Sequence, residues 1–165
     1  MTDIRWMRTW PTTLSSSITL LSPATGQLQP ATQKLGADAV IRLQQGRIQA
    51  PFAGVWQCMD HCGQHMLLTQ PRGLCLRFQL APWWRHKFGQ GIQMHAQHGD
   101  TVAQGAELFS LDLSFAALHQ QVPLVYLAIA RHPAFQSLSA RSGYVAALTD
   151  PLLIVELPPA RPRNP

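Results

Sequence analysis

Four residues of zinc-ligand type fall within one short stretch, Cys58, His61, Cys62 and His65, in the pattern C-x-x-H-C-x-x-H. Thiolate and imidazole are the donors that tetrahedral zinc prefers. On a strand and turn, side chains at this spacing diverge rather than converge, because successive strand residues point to opposite faces. No metal is therefore expected, and the cluster stands only as an alternative site for a zinc-assisted reaction. His95 and His98 lie three apart beside Gly99-Asp100, and neither an H-x-H pair nor an H-x-x-x-D motif accompanies them to complete a zinc site. Trp83-Trp84-Arg85-His86-Lys87 is the densest aromatic and basic cluster. Exposed tryptophans there would anchor a protein partner, whereas buried ones would be core plugs. Nucleophile elbows, phosphate-binding glycine loops, dinucleotide fingerprints and paired carboxylates are all missing. With only eight Asp and Glu in the chain, carboxylate-driven hydrolysis has little material.

The elements that must position these residues are short. Thirteen Pro and eleven Gly are spread along 165 residues, which implies many brief segments joined by tight turns and an all-β fold. At 46% apolar and 13% charged, the chain suits one domain with a sizeable core. The net charge of +5 is carried mostly by single basic residues, so no nucleic-acid stripe is expected. Three cysteines make an odd count that argues against a disulfide framework and for a reducing, cytoplasmic location. The longest apolar runs, such as 122–130, are too short to span a bilayer.

Along the chain, 1–16 is expected to be a flexible N-terminal extension, 17–157 the folded domain and 158–165 a disordered tail. Ile4, Trp6, Met7 and Trp10 would make a short basic amphipath if helical, the one direct route to a membrane surface, but Pro11 limits such a helix to about two turns. Strands are expected at 17–21, 27–29, 39–43, 47–49, 54–59, 65–69, 74–80, 89–92, 107–111, 124–130, 143–148 and 152–157, with one helix at 110–121 stopped by Pro123. In 74–80 the apolar residues alternate, so Arg77 and Gln79 share the polar face, where a chemical site is to be sought. The stretch 20–26 is echoed by 48–54: an apolar residue, one residue, a small one, Pro, two residues, Gly. Two related strand and turn units in one sandwich would produce such an echo.

Four segments in order, ITLLSPATGQL, GADAVIRLQQGRIQAPFAGVW, GQGIQMHAQHGDTVAQGAELFSLDL and SGYVAALTDPLLIVEL, resemble the glucose-type IIA component of the bacterial phosphoenolpyruvate-dependent sugar phosphotransferase system. The resemblance covers residues 17–157. It implies an antiparallel β-sandwich of the duplicated hybrid motif type with one short helix. It also implies a cytoplasmic phosphocarrier that works with the histidine phosphocarrier protein and a IIB domain, or a regulated target, without a cofactor and with at most indirect membrane contact.

The resemblance also implies two histidines on neighbouring strands, one accepting the phosphoryl group and one supporting it. The acceptor motif, G-x-x-L-x-x-H-x-G, aligns with Gly73 to Ala81 and puts Gln79 at the acceptor position. An ungapped alignment puts Gln64 at the supporting position, preceded by His61-Cys62-Gly63; a shift of one residue would bring in His65 instead. The residues that follow the acceptor strand in the family, a glycine and an acid, are Ala81 and Trp83 here. Phe78, Trp83 and Trp84 are the partner-binding candidates. A carboxamide nitrogen has its lone pair delocalised and cannot accept a phosphoryl group as imidazole does. The expectation is a IIA-like scaffold that binds or regulates without carrying phosphate. The alternative is an active phosphocarrier that uses His65.

Overall fold

The computed structural model describes residues 6–8, 16–30, 36–60, 64–71, 73–130, 137–141 and 143–157. It is an all-β sandwich in which every strand pairing among these residues is antiparallel. The largest sheet has eight strands, in spatial order Thr101–Val102, Gly54–Cys58, Met66–Thr69, Cys75–Leu80, Leu124–Ile129, Ala39–Leu43, Gly26–Gln29 and Tyr144–Val145. A four-stranded sheet runs Trp6–Arg8, Ser137–Arg141, Pro151–Leu157 and Ser16–Leu21. The third sheet is Arg47–Gln49, Glu107–Leu111 and Ile92–Met94.

One core joins the sheets. Phe109 from the smallest sheet packs on Trp56 and Phe78 of the largest, with ring centroids 6.1 and 6.2 Å away, and Trp56 meets Phe78 edge-on at 5.6 Å. All three rings are fully buried. Leu20 and Leu153 of the four-stranded sheet belong to the same cluster. Aromatic residues in strands bury large areas for little side-chain entropy, so three mutually packed rings make a rigid centre.

The sequence echo has a structural counterpart. A Cβ on Gly26 would lie 2.1 Å from the Arg42 carbonyl oxygen, and one on Gly54 would lie 2.4 Å from that of Thr69. Each glycine therefore opens a strand that closes tightly on its neighbour, at matching places in the two units. The first turn also touches the second unit, since the Gln49 N–H at the end of its strand donates to the Pro23 carbonyl at 2.9 Å.

Several expected boundaries move. The helix is only Leu113–Leu118, not 110–121, because Ser110 and Leu111 continue the preceding strand against Gln93 and Ile92. Asp112 caps it, its Oδ1 accepting from the N–H groups of Ser114 at 2.9 Å and Phe115 at 3.1 Å. The helix ends well before Pro123, at His119, and Gln120 takes φ 55°. Expected strand 89–92 is a turn through Gly91, with the strand itself at Ile92–Met94. Expected strand 143–148 shrinks to Tyr144–Val145. Within the stretch expected to be an extension, Trp6–Arg8 pair with Ser139–Arg141 as a strand rather than forming a helical turn. Residues 158–165, expected to be a tail, lie outside the described residues.

Candidate functional site

The alternation expected in Cys75–Leu80 is present: Leu76, Phe78 and Leu80 are fully buried, while Cys75, Arg77 and Gln79 are half-buried on the other face. Directly paired residues of antiparallel strands share a face. Gln79 pairs with Tyr126, which pairs with Val40, so an amide, a phenol and a valine form one row across three strands. One step along the same face, Arg77, Leu67 and Ala128 line an open depression of about 330 Å³ with Gly36 and Asp38 at its edge. Asp38 is fixed there by accepting the Ile129 N–H at 2.8 Å.

The second amide comes from the turn before Met66–Thr69. The ladder with the Gln79 strand ends at the pair Met66 and Phe78, which leaves Gln64 and His65 in a bend. Asp60 holds this bend, its Oδ1 accepting the Gln64 backbone N–H at 3.1 Å. Gln64 is 4% exposed, one of three buried polar residues among those described. Its Nε2 donates to the Leu80 carbonyl at 3.3 Å, and its Oε1 accepts from Gln79 Nε2 at 3.3 Å. The Leu80 carbonyl can only accept, so Gln64 must turn its NH₂ there. Its oxygen then faces Gln79, which must present a donor. Gln79 keeps a second N–H and a carbonyl oxygen to offer a ligand on the half-buried face. The pair is built for hydrogen bonding and contains no nucleophile.

Gln64 and Gln79, the two positions the ungapped alignment selects, are thus in contact, whereas His65 is exposed and meets Met59 only through its backbone carbonyl, at 3.0 Å. His61 and Cys62 lie outside the described residues. Among the described residues no three His, Cys, Asp or Glu side chains come together as a metal site. Phe78 faces the core and presents no surface to a partner. Trp84 is fully buried and Trp83 half-buried, stacked on it at 4.2 Å, so both act chiefly as core plugs. Sequence reasoning missed Asp60 and Tyr126. Asp60 had a usable signal, as one of few acids and four residues before Gln64; Tyr126 had none, because strand pairing across 47 positions leaves no local trace.

Cys58 closes the strand leading into this bend, its Sγ donating to the Asp60 carbonyl at 2.9 Å and lying 4.0 Å from Met94 Sδ. Burial raises the thiol above its ordinary range; a backbone hydrogen bond with Asp60 offsets part of this, and the Asp60 carboxylate adds to it. A thiol with a raised folded-state value stabilises the fold below the ordinary thiol range, and that contribution is lost as pH rises through the raised value. In a variant with Cys62 and Cys75 changed to Ser, iodoacetamide at pH 8 should label Cys58 several-fold more slowly than free cysteine, with the gap closing at higher pH. Labelling as fast as the free amino acid would mean that the thiol is not held protonated.

The fold is that of the glucose-type IIA sandwich. Among solved structures, the chain is similar to the glucose permease IIA from Mycoplasma capricolum, with a TM-score of 0.68 and 14% sequence identity, over 85% of this chain and 96% of that one. No family model matches the sequence, and no curated protein does. At that identity the likeness establishes the architecture, and the chemistry has to be argued from the residues.

Proposed function

We propose that this protein is a IIA-type binding or regulatory module that docks components of a sugar phosphotransferase system, or a target they regulate, without accepting phosphate. The observation that carries the reading is the Gln64–Gln79 contact, in which two amides are hydrogen-bonded at the two positions where the resemblance calls for imidazoles. An amide pair can recognise a polar group on a partner, since Gln79 has a donor and an acceptor left over, but it offers no ring nitrogen to form an N–P bond. With no accepted phosphate to pass on, the module would act by occupying a carrier rather than by relaying its group.

Incubation with phosphoenolpyruvate and the upstream phosphotransferases, followed by intact-mass measurement, should show no added phosphate on this chain. A stoichiometric, acid-labile phosphate would overturn the reading, and mapping it to His65 would establish the active phosphocarrier instead.

A further inference from the structure

Between residues 61 and 99 the chain has no Asp or Glu, yet it holds four of the thirteen Lys and Arg and five of the seven His. The centre of this stretch is the 3₁₀ turn Pro82–Lys87, which follows the Gln79 strand after Ala81 alone. Its inner side is locked. Trp84 is fully buried, Trp83 stacks on it, and both rings pack on Phe115 of the short helix at 5.9 and 6.3 Å. His119 adds a further ring 6.1 Å from Trp83. The returning chain closes on the same stack, since a Cβ on Gly91 would lie 2.5 Å from Phe115 and 2.9 Å from Trp84.

The outer side is cationic and apolar. Arg85 and His86 are exposed, Lys87 is half-buried, and the first turn has no acid to neutralise them. Phe88 follows at 88% exposure, held in the left-handed region at φ 51°, ψ 40°. A bulky aromatic in that conformation is uncommon, and strain of this kind gathers at functional positions. Leu118, on the helix that carries Phe115, is 79% exposed. A rigid aromatic base thus presents an apolar knob flanked by fixed positive charge.

We propose that this collar docks an acidic protein, with Phe88 seated in an apolar socket of the partner and Arg85 and Lys87 paired with carboxylates around it. Buried aromatic and arginine anchors are what protein interfaces rely on, and complementary charge steers the encounter. An anionic membrane fits less well, because lipid surfaces are held by clusters of about four to eight Lys and Arg, and the turn supplies two. A nucleic acid fits less well because single strands stack successive bases on several exposed rings along a basic groove, and this collar offers Phe88 alone, both tryptophans being committed to the interior. The proposal rests on the collar's charge and shape, so it stands or falls independently of what Gln64 and Gln79 do.

The test titrates the full chain with a fluorescent peptide of interspersed Glu and Leu, alongside a Lys and Leu peptide, a DNA duplex and phosphatidylserine vesicles. The acidic peptide should bind best. Arg85→Glu with Lys87→Glu, and separately Phe88→Ala, should each weaken it by about tenfold or more, equivalent to about 1.4 kcal/mol. Circular dichroism and melting should hardly change, because Arg85 and Phe88 are exposed and Lys87 is half-buried, and none of them belongs to the aromatic stack. Amide shifts induced by the peptide should cluster in 82–91 and 113–119. Tighter binding of DNA or vesicles, no binding of the acidic peptide, unchanged affinity in either variant, or shifts centred elsewhere would each overturn the proposal.

Discussion

Changing Gln64 and Gln79 together to His should give a chain that takes up a single acid-labile phosphate, where the natural chain, on the function proposed above, is expected to take up none. The Gln64–Gln79 contact makes the exchange geometrically modest, since the Gln79 side chain on its strand already meets that of Gln64 in the adjoining bend at 3.3 Å. At position 64 the Leu80 carbonyl, which now accepts from the amide, would accept an imidazole N–H and so fix the ring's tautomer. At position 79 a neutral ring nitrogen would supply the lone pair that the amide lacks. Gln79→His alone should label more slowly by roughly 10²–10³, because the second ring is the preorganised donor that stabilises the charge developing on the phosphoryl oxygens. Labelling is read by intact mass with two donors: the phosphorylated carrier protein and phosphoramidate, a small donor that needs no docking. Uptake from phosphoramidate only would show that the hollow is competent and that the surface rejects that carrier. Failure with both donors would mean that the amides do not occupy a phosphotransfer geometry at all.

The part of this site legible in the sequence is the part set by local rules. Alternation places Arg77 and Gln79 on one face and Leu76, Phe78 and Leu80 on the other, since period two is a property of any strand. The echoing glycines mark matching tight approaches for the same reason, as no residue with a Cβ fits there. What is not legible depends on partners distant in sequence. Ser110 and Leu111 suit the start of a helix by pattern alone, yet Leu108 and Phe109 are fully buried and pull the strand onward until Asp112 can cap. Trp83-Trp84 could be an interface or a plug in sequence, and only Phe115, more than thirty positions away, decides for the plug. Likewise, strict continuation of the ladder would put His65 opposite Gln79, and the bend held by Asp60 is what brings Gln64 there instead.

Phe78→Ala should cost about 3–5 kcal/mol, whereas the same change at Phe88, ten residues on, should stay within about 0.5 kcal/mol. Both remove the same atoms, so the difference isolates burial: Phe78 is fully buried and Phe88 is 88% exposed. Emptying the Phe78 site removes edge contacts with Trp56 and Phe109 at once and leaves a void between strands that cannot close, because Met66 and Leu127 hold the backbone on either side. At about 2–4 °C per kcal/mol for a chain of this size, melting should fall by roughly 6–20 °C for Phe78→Ala and hardly move for Phe88→Ala. The loss should reach the site as well, since Gln79 is the next residue and its hydrogen bond to Gln64 crosses from one strand to the bend beside the other. Urea midpoints and melting curves for the two variants decide the matter. Equal losses at both positions would mean that Phe78 is not the keystone of the core or that Phe88 is not on the surface, and either result would dismantle the two-faced strand on which the site is built.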